Sequence, residues 1–309
     1  MWPFRSAGFT VLASAGVILV AAAYLPSRAA DPPGLVEGRL ESVGPGASTI
    51  QVALPPPLGS RVLTVDDPGF KLKLGQAQAR DLVKIDVDDT GDPHHMKTLA
   101  EISRPVTALS RIMSLALAFF VLLMAAALAT NWRPLDFIIG ADNRYSNSKC
   151  QLVLWFGAFA TVYLSTLALR IVVLGWDFIG GVGITQNLLV LTGLSAFTYG
   201  GAKVITTQKV NAAARAGLPP VKQRAAAPNL LSDLVQDDRN NADIGDFQMI
   251  FVTVLAVIIF GLSSFHFLSA LALERQISLP DVDTALLSGF GIGQGAYLVK
   301  KAAANAGEG

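Results

Sequence analysis

Few residues of this chain have the type and spacing that catalysis or metal binding needs. His94 and His95 are adjacent and could begin a metal site, but the third histidine, His266, is remote in sequence, and adjacent histidines in a turn are poor chelators. Cys150 is the only cysteine, which excludes an intrachain disulfide and a cysteine metal cluster. No nucleophile stands at a spacing that pairs it with a base. The sequence therefore predicts no catalytic residue, no metal, no cofactor and a protein that is not an enzyme.

Two short acidic-basic segments are the best candidates for binding a partner. Asp142 and Arg144 form one Asp-x-Arg pair, and Asp237 and Arg239 form the other. The two pairs could make docking sites on the cytoplasmic side for a protein or an anionic ligand. The alternative is that they are solvated loop charges beside helices, whose N-termini favour carboxylates.

Two ionisable residues fall inside apolar segments, where such residues often have a function. Arg170 and His266 each lie within about two turns of the end of their segment that is predicted to face outward. The simpler expectation is that both side chains reach out to the membrane interface.

Membrane-spanning helices are the elements that must position most of these residues. Apolar residues make up 52% of the chain and charged residues 15%, against about a quarter charged in soluble domains. The net charge of +1 leaves no basic surplus for a nucleic-acid partner. Five apolar blocks approach the length of about 20 residues that a bilayer requires, at 112–130, 152–174, 188–205, 249–270 and 284–299. The last block is short and contains four glycines, so a re-entrant or interfacial helix is its alternative.

The N-terminal third of the chain has a different character. Residues 1–30 combine Arg5 with an apolar run and indicate a signal peptide or a signal anchor. Residues 31–104 contain five short runs separated by glycine and proline turns, which predict a small all-β domain of OB-like barrel form. The runs are 35–43, 48–54, 61–65, 82–87 and 98–102. The predicted fold class is mixed: an α-helical multi-pass membrane bundle plus this barrel, joined by a transmembrane helix at 105–130.

The charges of the loops predict the orientation. Lysine and arginine are concentrated in the loops at 131–149 and 206–248 and in the pair Lys300-Lys301, whereas the loop at 175–187 has none. Cytoplasmic loops carry the excess of positive residues. The sequence thus predicts a protein of the bacterial inner (cytoplasmic) membrane with an extracytoplasmic β domain. Residues 211–229, rich in alanine and proline, indicate a flexible linker.

A repeated pattern indicates an internal duplication. A shift of 98 residues places Leu188, Leu189, Gly193, Tyr199 and Lys203 on Leu286, Leu287, Gly291, Tyr297 and Lys301, and a shift of 97 places Gln151 on Gln248. Two-helix units at 131–205 and 206–303, followed by a tail at 304–309, account for these matches. Because both units enter the membrane from the same side, we expect a pseudo-twofold axis along the membrane normal.

The repeated residues have expected structural roles. Gln151 and Gln248 are expected to form hydrogen bonds between helices at the membrane entry. The pairs Tyr199/Lys203 and Tyr297/Lys301 are expected to anchor the interface. Small residues at a spacing of four let helices approach closely, which predicts helix packing, within the chain or between protomers, at four glycines: Gly289, Gly291, Gly293 and Gly295. A pore lining is the alternative for these glycines.

The doubled pattern resembles a group of uncharacterised bacterial membrane proteins with the same arrangement. The likeness covers residues 131–303 and depends on Ser148-Lys149-Cys150-Gln151-Leu152 with Trp155, and on Gly291-Ile292-Gly293 with Tyr297 and Lys301. It implies the layout and no activity. The function expected from the sequence is a non-catalytic membrane scaffold or anchor, which binds a protein partner or itself. A small channel or transporter is the alternative, and a lipid-modifying enzyme lacks an evident acid, base or metal site.

Overall fold

The computed structural model describes residues 35–56, 59–88, 95–217, 225–235 and 243–303. The chain divides into two compact units, Met1–Pro105 and Val106–Gly309. The predicted signal segment at 1–30, the tail at 304–309, His94, and the pair Asp237/Arg239 lie outside the described residues.

The first unit is an antiparallel sheet with one short helix. Its strands follow in the order β3-β2-β1-β4-β5, each antiparallel to its neighbour, and Thr64 of β3 also pairs with His95 of β5 in parallel. Alternate side chains such as Val83 and Ile85 are buried, as expected for strands with one face against a core. The elements are β1 Leu35–Val43, β2 Thr49–Ala53, β3 Ser60–Thr64, α1 Pro68–Leu74, β4 Leu82–Asp88 and β5 His95–Pro105.

Two carboxylates fix the connection from α1 to β4. Asp67 caps α1, since its Oδ1 accepts from the Phe70 backbone at 3.0 Å. Asp81 is buried and binds the Arg104 guanidinium through both carboxylate oxygens, at 3.0 and 3.1 Å. This bidentate pair holds the start of β4 against the end of β5.

The second unit is helical. Its helices are α2 Ala108–Ala129, α3 Asn147–Leu169, α4 Gln186–Arg215, α5 Leu230–Val235, α6 Ile244–Phe267 and α7 Thr284–Ala303. Four segments are long and apolar enough to cross a membrane, as expected for a multi-pass protein: Ala108–Ala129, Asn147–Leu174, Gln186–Arg215 and Ile244–Phe267. The fifth predicted span, α7, is a helix of 20 residues but is not among these four.

Helix α4 continues beyond the span predicted at 188–205. It ends at Arg215 and so includes the first residues of the predicted linker. Three consecutive alanines, Ala212 to Ala214, favour the extension because alanine has the highest helix propensity.

Four helices of the second unit form a ring. Helix α3 packs against α4 and α6, and α7 packs against the same two helices, while α2 lies against α3. In the two predicted repeat units α3 corresponds to α6, and α4 corresponds to α7. Both pairs of corresponding helices are in contact. A twofold axis through the centre of such a ring would place corresponding helices diagonally. The contacts therefore favour two hairpins stacked side by side instead of the expected twofold arrangement.

Short elements close one end of the ring. After α3 the chain forms a π-helical turn, Arg170–Leu174, and a 3-10 turn, Trp176–Phe178. Strand β6, Val182–Gly183, then pairs in parallel with β8, Ile277–Ser278. The remaining elements are β7, Ala270–Ala272, and the 3-10 turns Pro45–Ala47 and Pro134–Ile138.

Candidate functional site

The described residues contain no group of three or more histidine, cysteine, aspartate or glutamate side chains that could hold a metal. His95 is on the sheet, with Nδ1 2.8 Å from Oδ2 of Asp66. Cys150 is buried against Ile138 and Leu234. The chemically distinctive groups are polar side chains inside the helical ring.

One layer of the ring is polar on all four helices. Gln151 of α3, Ser195 of α4, Thr253 of α6 and Gln294 of α7 each have 0–3% of their surface exposed. We call these four residues the polar layer. Gln151 was predicted to bond between helices, and its Nε2 does donate to Ser195 Oγ at 3.3 Å.

Contacts between the helices place the four residues at a similar height. A Cβ on Gly291 of α7 would lie 3.7 Å from Leu194 of α4, and a Cβ on Gly201 of α4 would lie 3.3 Å from Leu298 of α7. The two helices are therefore parallel neighbours, and Ser195 lies near the level of residue 292. Met249 and Tyr297 pack together, and Thr253 and Gln294 lie about one turn above them. All four residues are thus within about one turn of the same level.

The polar layer has unmet hydrogen-bond acceptors. Gln151 Oε1 and Gln294 Oε1 are buried and have no hydrogen-bond partner within the described part of the chain, and the same holds for Asn147 Oδ1 one turn below Gln151. The hydroxyls of Ser195 and Thr253 donate to the carbonyls of Leu191 and Met249, at 3.1 and 2.8 Å. Each buried acceptor without a donor costs about 1–3 kcal/mol.

An aromatic layer covers the polar layer on the side predicted to face outward. The ring centroid of Trp155 lies 5.4 Å from that of Phe260 and 6.5 Å from that of Phe290. Trp155 Nε1 donates to Thr192 Oγ1 at 3.1 Å, which fixes the indole. With Leu188, Leu191 and Ala256, these rings form the buried apolar core of the ring.

Arg170 holds the predicted outer end of the ring together. Its side chain is 0% exposed and does not reach the interface as the sequence suggested. The guanidinium donates to three backbone carbonyls, of Phe178 at 2.9 Å, Glu274 at 2.8 Å and Arg275 at 3.2 Å. These carbonyls belong to the two loops that β6 and β8 join, so one side chain ties both loops to α3. We call this group the outer clasp.

Gly181 makes the outer clasp sterically possible. Its φ of +64° lies in the left-handed region, and a Cβ there would stand 2.0 Å from the Arg275 carbonyl oxygen. Any larger residue would push this carbonyl away from Arg170. Gly181 thus serves a close backbone approach.

The predicted docking pair lies in a folded loop. Asp142 and Arg144 are half-buried. The Asp142 carbonyl accepts from the backbone of Ala225 at 2.9 Å, and Asn143 Nδ2 donates to the Ala225 carbonyl at 2.9 Å. Asp233 accepts from the Tyr145 backbone at 3.0 Å. The chain's own segment 225–233 therefore covers part of this surface.

The other predicted residues have mixed environments. Tyr297 is buried against Ala202 and Met249, and Lys301 donates a hydrogen bond to its hydroxyl at 3.1 Å. Tyr199 is half-buried, whereas Lys203, Gln248 and His266 are exposed.

The four glycines of α7 are not sites of close approach within the chain. Among the described residues, and apart from its own helix backbone and chain neighbours, a Cβ on Gly289, Gly293 or Gly295 would meet no atom within 4 Å, and a Cβ on Gly291 would meet Leu194 at 3.7 Å. The glycines were predicted to pack helices within the chain or between protomers. These distances do not support the first use and do not test the second.

Sequence reasoning missed Ser195, Thr253 and Gln294. The signal was present: each is a polar residue three or four positions from a core residue, with Ser195 after Leu191, Thr253 before Ala256 and Gln294 after Phe290. Such a spacing puts both residues on one helix face.

Replacement of Arg170 by methionine should loosen the outer clasp. Three carbonyls would lose a charged donor, and we expect the helical unit to be destabilised by about 3–5 kcal/mol. Hydrogen exchange at the Ile277 and Leu279 amides, which donate to Gly181 and Gly183, would report the loss directly. The control is Arg275→Met, which removes the same charge from an exposed side chain and should change stability by about 0.5 kcal/mol or less. Equal exchange in the two variants would contradict the role of Arg170.

Comparison with known proteins gives no relative: no family model, curated protein or solved structure matches the chain. The doubled layout that residues 131–303 share with the bacterial group therefore stays a prediction.

Proposed function

We propose that the protein is a non-catalytic membrane scaffold or anchor. The observation that supports this most is the apolar core of the helical ring, where Trp155, Phe260 and Phe290 fill the centre. A centre filled by packed rings suits a rigid support more than a conduction path, because a conduction path needs water or polar groups along its length.

Ties at both ends support a rigid ring. The outer clasp joins two loops through Arg170. At the opposite end Lys300 of α7 pairs with Asp243, which caps α6, and lies 3.7 Å from Asp246. These contacts oppose the relative movement of helices that a transport cycle requires.

The β domain is the proposed recognition element on the extracytoplasmic side. The pairing of Thr64 with His95 links the two outer strands of the sheet, and this link supports an OB-like barrel in the order 1-2-3-5-4. Polar side chains on the exposed face of β1 to β3 form a chain of hydrogen bonds, Ser42 to Gln51, Gln51 to Ser60 and Ser60 to Glu41, at 2.8 to 3.4 Å. A partner could use this face.

Self-association through α7 is the proposed means of assembly. The exposed face of α7 carries mostly small residues: Ala285, Ser288, Gly289, Ile292, Gly295, Ala296 and Val299. Small residues let two helix backbones approach in a bilayer. A helix less apolar than the four spans also gains from being covered by protein.

A channel or transporter is the second candidate, and the polar layer is the observation in its favour. Buried amide and hydroxyl groups at one level could belong to a polar path. In this case flux would depend on Gln151 and Gln294.

Ion flux in proteoliposomes separates the two candidates. We expect sodium and potassium flux no higher than in protein-free vesicles, because the aromatic layer closes the ring. Flux that is present in the natural protein and lost in Gln294→Met would contradict the scaffold and support the channel.

Cysteine labelling tests the proposed orientation in the inner membrane. Cys150 is 6% exposed and suits this poorly, so Cys150→Ser is the background. Ser42→Cys in β1 and Ala216→Cys after α4 add exposed thiols on opposite predicted sides. A membrane-impermeant reagent should label the first in intact cells and the second only in inverted vesicles. The reverse pattern would contradict an extracytoplasmic β domain.

Leucine substitutions test assembly through α7. Gly289→Leu and Gly295→Leu should weaken dimerisation by about tenfold or more, because each leucine keeps two helices apart. Gly193→Leu on α4 is the matched control, since all three glycines are exposed and a Cβ on each meets nothing within 4 Å. Dimer fractions from cross-linking in liposomes measure the effect. An equal loss in all three variants, or in none, would exclude α7 as the contact.

A further inference from the structure

We propose that the polar layer is a binding site for one monovalent cation, reached from the end of the ring where α3 and α6 begin. The ligands are neutral oxygens: Oε1 of Gln151, Oε1 of Gln294, and the hydroxyl oxygens of Ser195 and Thr253. Nothing in the proposed scaffold function requires this site.

The first argument is the chemistry of the unmet groups. Ser195 gives its hydrogen to the Leu191 carbonyl, so towards Gln151 it can only accept. Gln151 must therefore present Nε2 to Ser195, which leaves Oε1 free and fixes the amide orientation. Thr253 likewise gives its hydrogen to Met249. The fully buried atoms of the layer without a partner in the described chain are the two amide oxygens, whose lone pairs attract a cation and repel an anion.

The second argument is the burial of these oxygens. Gln151 and Gln294 are 0% and 3% exposed, and their Oε1 atoms lack a partner among the residues that the structure describes. Native proteins satisfy nearly all such groups. Two unpartnered amide oxygens from different helices at one level point to a shared ligand.

The third argument is space. Gly293 precedes Gln294 and is buried, yet a Cβ at this position would meet no atom within 4 Å beyond its own helix backbone and chain neighbours. No other described helix therefore packs closely against α7 beside Gln294 at this position.

The charge of the site selects the class of ion. No carboxylate belongs to the layer, and divalent cations in proteins are held by carboxylates that offset their dehydration. A monovalent ion loses less hydration and suits neutral oxygen ligands, as carbonyl rings do in potassium channels.

The residues around the polar layer leave it open to an ion from one end of the ring only. Below the layer Asn147 offers another buried oxygen without a partner in the described chain, one turn nearer the helix start. Above it Trp155, Phe260 and Phe290 block the ring. The ion is bound and released at the same end, so binding without flux is the expected behaviour.

The test measures thermal stability of the full chain, purified in detergent in choline chloride and free of alkali ions. Sodium or potassium chloride then replaces choline chloride at constant ionic strength. We expect a saturable rise of several degrees in Tm, because a ligand that binds only the folded state stabilises it by mass action. Equilibrium dialysis with radiolabelled sodium or rubidium should give about one ion per chain.

Substitutions show whether the ion that raises Tm binds at the polar layer. Gln151→Met and Gln294→Met should abolish the rise and the bound label, whereas Gln186→Met, at an exposed residue of α4, should keep both. A Tm indifferent to alkali ions in the natural protein, with no bound label, would overturn the proposal and leave water as the occupant. A rise that all three variants retain would also overturn it, because the ion would bind elsewhere. Neither result bears on the scaffold, which the flux assay tests independently.

Discussion

A polar group inside a membrane bundle must find its partner within the chain, because hydrocarbon offers none. This constraint organises the helical unit. Arg170 would be very costly as a buried charge without partners. It is tolerated because two loops that are far apart in sequence bring the carbonyls of Phe178, Glu274 and Arg275 to one guanidinium. The short β6–β8 pairing joins the two loops, and the left-handed Gly181 allows their backbones to approach closely.

The two ends of the ring leave different buried groups without a partner in the described residues. The predicted outer end has surplus donors, since Arg170 Nη1 and Arg111 Nε are buried without a partner in the described residues. Arg111 donates to the Phe265 carbonyl at 2.8 Å and lies 4.2 Å from the Phe265 ring centroid, and these contacts stabilise a cation on the side where the predicted orientation disfavours positive residues. The other half has surplus oxygens, on Asn147, Gln151 and Gln294. Two hydroxyls of the outer half, Thr185 Oγ1 and Ser264 Oγ, are also buried without a partner in the described residues, and the aromatic layer separates them from the polar layer.

The sequence predicted much of the fold, because strands and spans depend on local patterns. The five runs in the first unit match five strands, and four spans match four long apolar helices. The partners of Arg170 could not be predicted, since backbone carbonyls leave no mark in the sequence and their position depends on two loop conformations. Gln151 was identified as a helix-to-helix contact from its polarity alone. Ser195 and Thr253 were missed because serine and threonine in a membrane helix can satisfy themselves on the carbonyl four residues back, as both do.

The predicted duplication has a further consequence for the site. The shift of 97 residues that pairs α3 with α6 takes Arg170 to Phe267 and Trp155 to Val252, so neither the arginine of the outer clasp nor the tryptophan of the aromatic layer is repeated. Tyr199 and Tyr297 also match in sequence, but one is half-buried and the other is buried beside Met249. Under a duplication, the two hairpins would have kept the residues that shape the helices and diverged in those that fill the ring. A symmetric pore requires equivalent residues around its axis. This ring has Trp155 on α3 where the corresponding position of α6 is Val252, which suits a packed support with one off-centre polar site.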